Sequence, residues 1–238
     1  MLLKTQGIVL RSIKYGETSL ILDVYTQAKG RQSYMVNGVR STKARINQSV
    51  VGVSSLLDMV VYHRDNKDIQ RIKEIKPLLI YQDIPFNVTK GTVALFMSEL
   101  ISKTVKEAEE NELLFDFLKQ SFIALDQAEK PTLFPLVFPI WLATYIGFAP
   151  GNDWTENTPY FNMQEGLFVE EAPLLNGLGT KISRVLSNIR LLDISNLENI
   201  HIPKQIRRQL LDSLIEYYKL HVENFNHLNS HIILREVF

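Results

Sequence analysis

The chain has 238 residues, 45% of them apolar and 22% charged, which suits one large or two modest globular domains with an ample core. It contains no cysteine, so disulfides, cysteine-ligated zinc and thiol nucleophiles are excluded. The formal net charge of zero hides an asymmetry: residues 1–80 carry 13 Lys and Arg against 6 Asp and Glu, and residues 81–238 carry 13 against 20.

The first third reads as strands. Gly7–Lys14 holds Ile8, Val9, Leu10 and Ile13, and Tyr15-Gly16-Glu17 makes a turn. Thr18–Thr26 alternates, with Leu20, Leu22 and Val24 on one face and Asp23 and Tyr25 on the other. Ala28-Lys29-Gly30 is a second turn, followed by Arg31–Asn37. Val50–His63 and Ile69–Ile75 complete five strands with glycine-bearing turns. That count and spacing predict a small antiparallel barrel over residues 1–80, either an OB-fold or an SH3-like barrel.

Residues 77–90 read as a connection, after which the period changes. Phe96, Leu100 and Ile101 recur at helical spacing, then a charged run, Lys103–Glu112. Leu113, Leu114, Phe117, Leu118, Phe122 and Leu125 repeat the spacing. The apolar, charge-free stretch Pro131–Asn152 has bilayer length, but Pro135 and Pro139 interrupt it. Its cleanest helical piece, about Pro139 to Phe148, is a buried core helix. Residues 149–176 are irregular. Leu178–Leu191 and Lys204–Asn226 read as two further helices, the second preceded by Pro203. The fold class is therefore α+β: a barrel domain, 1–80, and a helical domain, 81–238, with an irregular insertion near 149–176. The N-terminus has no apolar signal-peptide core, which points to the cytoplasm.

A basic first third beside an acidic remainder points to a polyanion partner; the other account is attraction between the two parts. The cations gather at turns and strand ends: Arg11, Lys14, Lys29, Arg31, Arg40, Lys43 and Arg45. The segment Asn37–Arg45 combines a glycine, two hydroxyls and three cations. Such groups neutralise and hydrogen-bond phosphates. Tyr15, Tyr25 and Tyr34 offer rings for base stacking. A second set, Lys67, Arg71, Lys73 and Lys76, is the alternative seat of the basic surface.

Enzymatic readings find little support. There is no P-loop, no H-E-x-x-H and no serine nucleophile elbow. His227 and His231 are four apart, but Asn229-Ser230 between them weakens a helix, and a solvated C-terminal segment is the better reading.

Four successive segments carry a resemblance: Gly7-Ile8-Val9-Leu10-Arg11, Tyr15-Gly16-Glu17-Thr18-Ser19-Leu20-Ile21, Tyr25-Thr26-Gln27-Ala28-Lys29-Gly30-Arg31, and Gly38-Val39-Arg40-Ser41-Thr42-Lys43. In order and spacing they resemble the opening of the bacterial RecO family. Asn111–Leu118 and Ile146-Gly147-Phe148-Ala149-Pro150 are similar to its later elements. The resemblance implies an N-terminal OB-fold that binds single- and double-stranded DNA, followed by a helical domain. It implies RecR and the acidic tail of single-strand-binding protein as partners, annealing of complementary strands, and indirect help to RecA. It places the protein at the nucleoid, with no membrane partner and no enzymatic step. Many members carry a four-cysteine zinc site after the Gly-Phe-x-Pro element. Here Gly151–Asn157 and Tyr160–Gly166 hold no cysteine, so no zinc or other cofactor is expected. Packing of Trp154, Tyr160, Phe161, Leu167 and Phe168 is expected to hold the loop instead. In the last helix Ile206, Leu210, Leu214, Tyr217, Leu220 and Phe225 form an apolar stripe. It reads as core-facing. The alternative is a groove with Arg207, Arg208 and Lys219 at its edge, suited to an acidic tail.

Overall fold

The computed structural model describes residues 1–41, 46–193, 197, 200–225 and 227–237. The chain forms two compact units, Met1–Gln127 and Ala128–Phe238.

The first unit opens with strands β1 (Leu2–Tyr15), β2 (Ser19–Thr26), β3 (Gly30–Val36), β4 (Leu56–Tyr62) and β5 (Ile69–Pro77). They close in the order β1-β2-β3-β5-β4. All pairs are antiparallel except β3 with β5, where Ser33, Tyr34 and Met35 face Ile69, Gln70 and Arg71 in parallel. This order is the OB-type arrangement and decides between the two barrels that strand count left open. Alternation supplies the interior: Val9, Leu20, Leu22, Val24, Tyr34, Val36, Leu57, Met59 and Val61 form one buried cluster. Gly7 belongs to this design. A methyl there would sit 2.6 Å from Val24 and 2.7 Å from Met59.

Helices α1 (Val88–Thr104) and α2 (Glu112–Gln127) follow. Asn87 caps α1, its side chain accepting from the Lys90 amide, and the helix starts at Val88, inside the stretch 77–90 that reads as a connection in the sequence. These helices belong to the barrel unit for a visible reason. Ile8, Tyr25 and Leu56 share a cross-strand row on the outer face yet are almost completely buried. Helix α1 packs on β1, and Phe115 of α2 stacks on Tyr25 with centroids 6.4 Å apart. Asp126, near the end of α2, accepts the amides of Gln82, Asp83 and Ile84. The buried Lys90 ammonium lies 2.6 Å from both the Asp83 carboxylate and the Asp126 carbonyl. The compact unit thus ends at 127, later than the change of sequence period near residue 80.

Burial pushes the Tyr25 and Tyr34 hydroxyls from 10.0 up to about 12, with Glu107 adding to the shift at Tyr25, and raises Tyr81 further. A proton held more tightly in the folded state stabilises it fully below pH 10.0, and that contribution is lost as pH rises towards 12. Equilibrium unfolding at rising pH should therefore show stability falling above pH 10.0. Tyrosinate absorbance should appear together with the loss of circular dichroism. Free titration of every tyrosine before unfolding would contradict the burial.

The second unit contains α3 (Phe134–Tyr145), β6 (Tyr160–Asn162), β7 (Leu167–Val169), β8 (Gly177–Leu178), α4 (Thr180–Arg190), α5 (Lys204–His221) and α6 (Asn229–Val237). Helix α3 is buried on almost every side, as its uniform apolarity requires. Among the described residues no helix is long and apolar enough to cross a membrane. The insertion expected to be irregular contains a three-stranded sheet, β7-β6-β8, of two- and three-residue strands too short to leave an alternation in sequence. Phe161 and Phe168 pack beneath it at 5.0 Å. The Ser183 hydroxyl ties it to α4, accepting from the Phe161 amide and donating to the Leu178 carbonyl. Trp154 donates to the Pro159 carbonyl and lies under Arg184, whereas Leu167 is exposed. Helix α5 ends at His221, short of Asn226. The C-terminal segment, expected to be solvated, forms α6, where His231 lies 2.8 Å from Asp212.

Candidate nucleic-acid interface

Barrel pairing sets out the outer face of the first unit row by row. Residues of β2 and β3 with the opposite parity to the core cluster point outwards: Ile21, Asp23, Ser33 and Met35. One row runs Ile13–Ile21–Met35–Arg71 across β1, β2, β3 and β5; the next runs Arg11–Asp23–Ser33–Ile69. At roughly 4.8 Å per strand, such a row is on the order of 15 Å long. Arg11, Ile13 and Tyr15 are exposed at its β1 end and Arg71 at its β5 end, while Lys14, also exposed, has the parity of Leu20 and lies off the row. The strip thus has Ile21 and Met35 in the middle of one row and Ser33 with the Arg31-paired Asp23 in the middle of the next, with cations and an aromatic ring at its margins. Rings and cations are the chemistry that single strands use on such barrels.

Arg40 joins the β1 end. Its amide donates to Thr18 and its guanidinium to the Gly16 carbonyl at 3.2 Å. The tight turn that allows this uses Gly38 at φ +72°, whose carbonyl accepts the Ser41 amide and hydroxyl. Lys43 and Arg45 lie outside the described residues.

At the β5 end a groove of about 610 Å³ is lined by Met35, Tyr62, Arg64, Lys67, Ile69, Gln70 and Arg71. Lys67 and Arg71 belong to the second set of cations. Tyr62 and Arg64 were not singled out from sequence. Tyr62 faces Arg71 across β4–β5, a pairing that strand order reveals and composition does not. Of the remaining second set, Lys73 pairs with Glu74 and Lys76 with Asp58.

Three expected contacts lie elsewhere. Tyr34 is fully buried among the core residues of the barrel, because it shares parity with Val36, so its ring offers no face to a base. Tyr25 is buried under Phe115. Arg31 is turned inwards against Asp23, with Nη2 at 2.5 Å from the carboxylate and Nη1 at 2.5 Å from the Ser102 carbonyl of α1. Its donors are engaged inside the unit and do not face a phosphate. Lys29, in the adjoining turn, is half-buried. That end of the barrel meets the backbone of Glu107 and Glu109, in a run whose exposed carboxylates, Glu107 to Glu112, oppose a polyanion.

In the second unit, the apolar stripe of α5 is core: Ile206, Leu210, Leu214 and Tyr217 are buried. Arg207 donates to the Ile202 carbonyl and lines a cleft of about 200 Å³ with Lys130 and His201. Arg208 donates to the Arg235 carbonyl, and Lys219 pairs with Glu216 at 2.6 Å. Lys219 lies three turns along the helix, roughly 18 Å from Arg207, so the three cations do not form one cluster. Among the described residues no group of three or more histidines and carboxylates could hold a metal ion.

Comparison with known proteins identifies a family. A family model described as Recombination protein O N terminal matches residues 1–81, and one described as Recombination protein O C terminal matches residues 85–155. Three curated relatives share the description DNA repair protein RecO, and in each match both chains are covered completely. That of Azobacteroides pseudotrichonymphae is 31% identical over 240 residues, that of Bacteroides fragilis 33% over 245, and that of Flavobacterium psychrophilum 33% over 242.

Proposed function

The chain belongs to the RecO family of DNA repair proteins, and we propose that it acts as a binding and annealing mediator without catalysing covalent chemistry. The outer strip of the barrel takes single- and double-stranded DNA. Annealing then needs only neutralised backbones and accessible bases. With RecR, the protein helps RecA onto DNA coated by single-strand-binding protein, in the cytoplasm at the nucleoid. The observation that carries this reading is the strip itself: Arg11, Tyr15 and Arg40 at one margin, Arg71 at the other, and Ile21 and Met35 between. The acidic tail of single-strand-binding protein is assigned to the second unit, with the Arg207 cleft as its cationic end.

Annealing of complementary oligonucleotides without nucleotide or metal tests the activity. A salt titration tests the surface. Each phosphate neutralised on a single strand contributes roughly −0.7 to the slope of log affinity against log salt. Replacing Arg11 and Arg40 together by alanine should flatten that slope by about 1.4, on unrelated sequences alike. Unchanged slope and affinity would remove the β1 margin from the interface. Failure of the wild type to bind or anneal would leave only an adaptor role.

A further inference from the structure

The groove at the β5 margin has a construction that the rest of the strip lacks. Its rim is the β4–β5 connection, residues 63–68, and that connection is braced from below. Gln70 is 3% exposed. Its carbonyl oxygen accepts the Arg64 amide at 2.9 Å, and its amide nitrogen donates to the Arg64 and Lys67 carbonyls at 2.8 and 2.7 Å. One buried side chain thus makes three hydrogen bonds to the backbone of the two residues whose cationic side chains line the groove. Asp65, in the same connection, lies 3.1 Å from His63, and neither Asp65 nor Asp68 lines the groove. Arg64, Lys67 and Arg71 have no carboxylate partner among the described residues. The floor is Met35 and Ile69, and Tyr62 is half-exposed beside them.

We propose that this groove is a single-strand pocket, in which Tyr62 stacks on an unpaired base while Arg64, Lys67 and Arg71 hold its flanking phosphates, with Gln70 as the positioning residue. It rests on the DNA-binding reading above and deepens it. Three features commit it to a single strand. Cations without carboxylate partners call for a polyanion. A ring at the edge of an apolar floor calls for a planar apolar face, which a duplex buries within its own stack. The volume matches small-ligand clefts of roughly 300–1,000 Å³, enough for an unstacked base with its phosphates and too little for a paired helix. A duplex could use only the cationic rim.

The test is anisotropy of labelled single-stranded and duplex oligonucleotides against salt, on the full chain. Tyr62→Ala should weaken single-strand binding on the order of ten-fold and change duplex binding little, with Tyr62→Phe restoring it. Arg64→Ala with Lys67→Ala should flatten the single-strand slope by about 1.4. Gln70→Ala should flatten it too while removing no charge, because the freed connection no longer holds both cations over one strand. Melting curves exclude unfolding as the cause. If Gln70→Ala unfolds the barrel, the tyrosine pair and the double cation variant decide alone. Wild-type binding that survives Tyr62→Ala and the double variant overturns the pocket and leaves the DNA-binding reading standing. Equal loss on duplex and single strand overturns its single-strand character. A wild type that binds neither strand form overturns the underlying reading and the pocket with it.

Discussion

Gly30→Ala should lower the melting temperature by roughly 10 °C, the shift expected for about 2–5 kcal/mol in a chain of this size. Two costs combine. Gly30 has φ +54°, a left-handed conformation that costs an L-residue on the order of 1–2 kcal/mol. The added methyl would also lie 2.4 Å from the Glu109 carbonyl oxygen, 2.6 Å from the Glu107 carbonyl oxygen and 2.8 Å from the Glu109 amide nitrogen. A flexible side chain could swing away from such a contact, but this backbone is held. The Arg31 amide donates to the same Glu107 carbonyl at 3.0 Å, and Phe115, just beyond, is stacked on Tyr25. Overpacking of that kind adds roughly 1–3 kcal/mol. Gly16 and Gly38 provide the control. They have φ of +58° and +72°, but a methyl at either meets nothing within 4 Å. Alanine there should cost only the backbone term, about 1–2 kcal/mol. Equal melting temperatures for the three variants would mean that the 107–109 segment does not close over the β2–β3 turn.

The barrel was legible because alternation is a strong signal when one face is buried. Leu20, Leu22 and Val24 point inwards as their spacing requires. Strand order was not legible, since the parallel β3–β5 pair depends on residues far apart in sequence. The aromatic assignments divide along the same line. Tyr34 shares parity with Val36, so the alternation itself contained its burial. Tyr25 has outward parity, and only the packing of α2, far along the chain, removes it from the surface. The groove was half legible. Lys67 and Arg71 stood out as cations, whereas Tyr62 and the brace at Gln70 acquire meaning only from a register and a hydrogen-bond pattern. Helix α6 was hidden because Asn229 and Ser230 favour caps over helix interiors, and they occupy its first turn.

Arg31→Ala should destabilise the first unit by about 2–3 kcal/mol while leaving the salt slope of DNA binding unchanged. The guanidinium is a clamp. Nε and Nη2 grip the Asp23 carboxylate at 3.0 and 2.5 Å, and Nη1 and Nη2 reach the Ser102 carbonyl and hydroxyl at 2.5 and 3.2 Å. It therefore joins β2 and β3 to the last turn of α1, where orphan carbonyls need donors. Alanine would leave the Asp23 carboxylate, 14% exposed, without its cation. Breaking a fully buried pair costs roughly 3–5 kcal/mol, and with the arginine 25% exposed solvent recovers part of this. Arg31→Lys keeps the charge but loses the planar fork, so it should fall between wild type and alanine. The sequence alone placed Arg31 among the phosphate ligands, and the two roles give opposite readouts. Removing a phosphate ligand would flatten the single-strand slope by about 0.7 with little change in stability. Removing a clamp lowers the denaturant midpoint and keeps the slope, provided binding is measured well below the melting transition. Unfolding curves and salt titrations of the three proteins separate the roles in one experiment. A flattened slope with an unchanged midpoint would return Arg31 to the nucleic-acid surface.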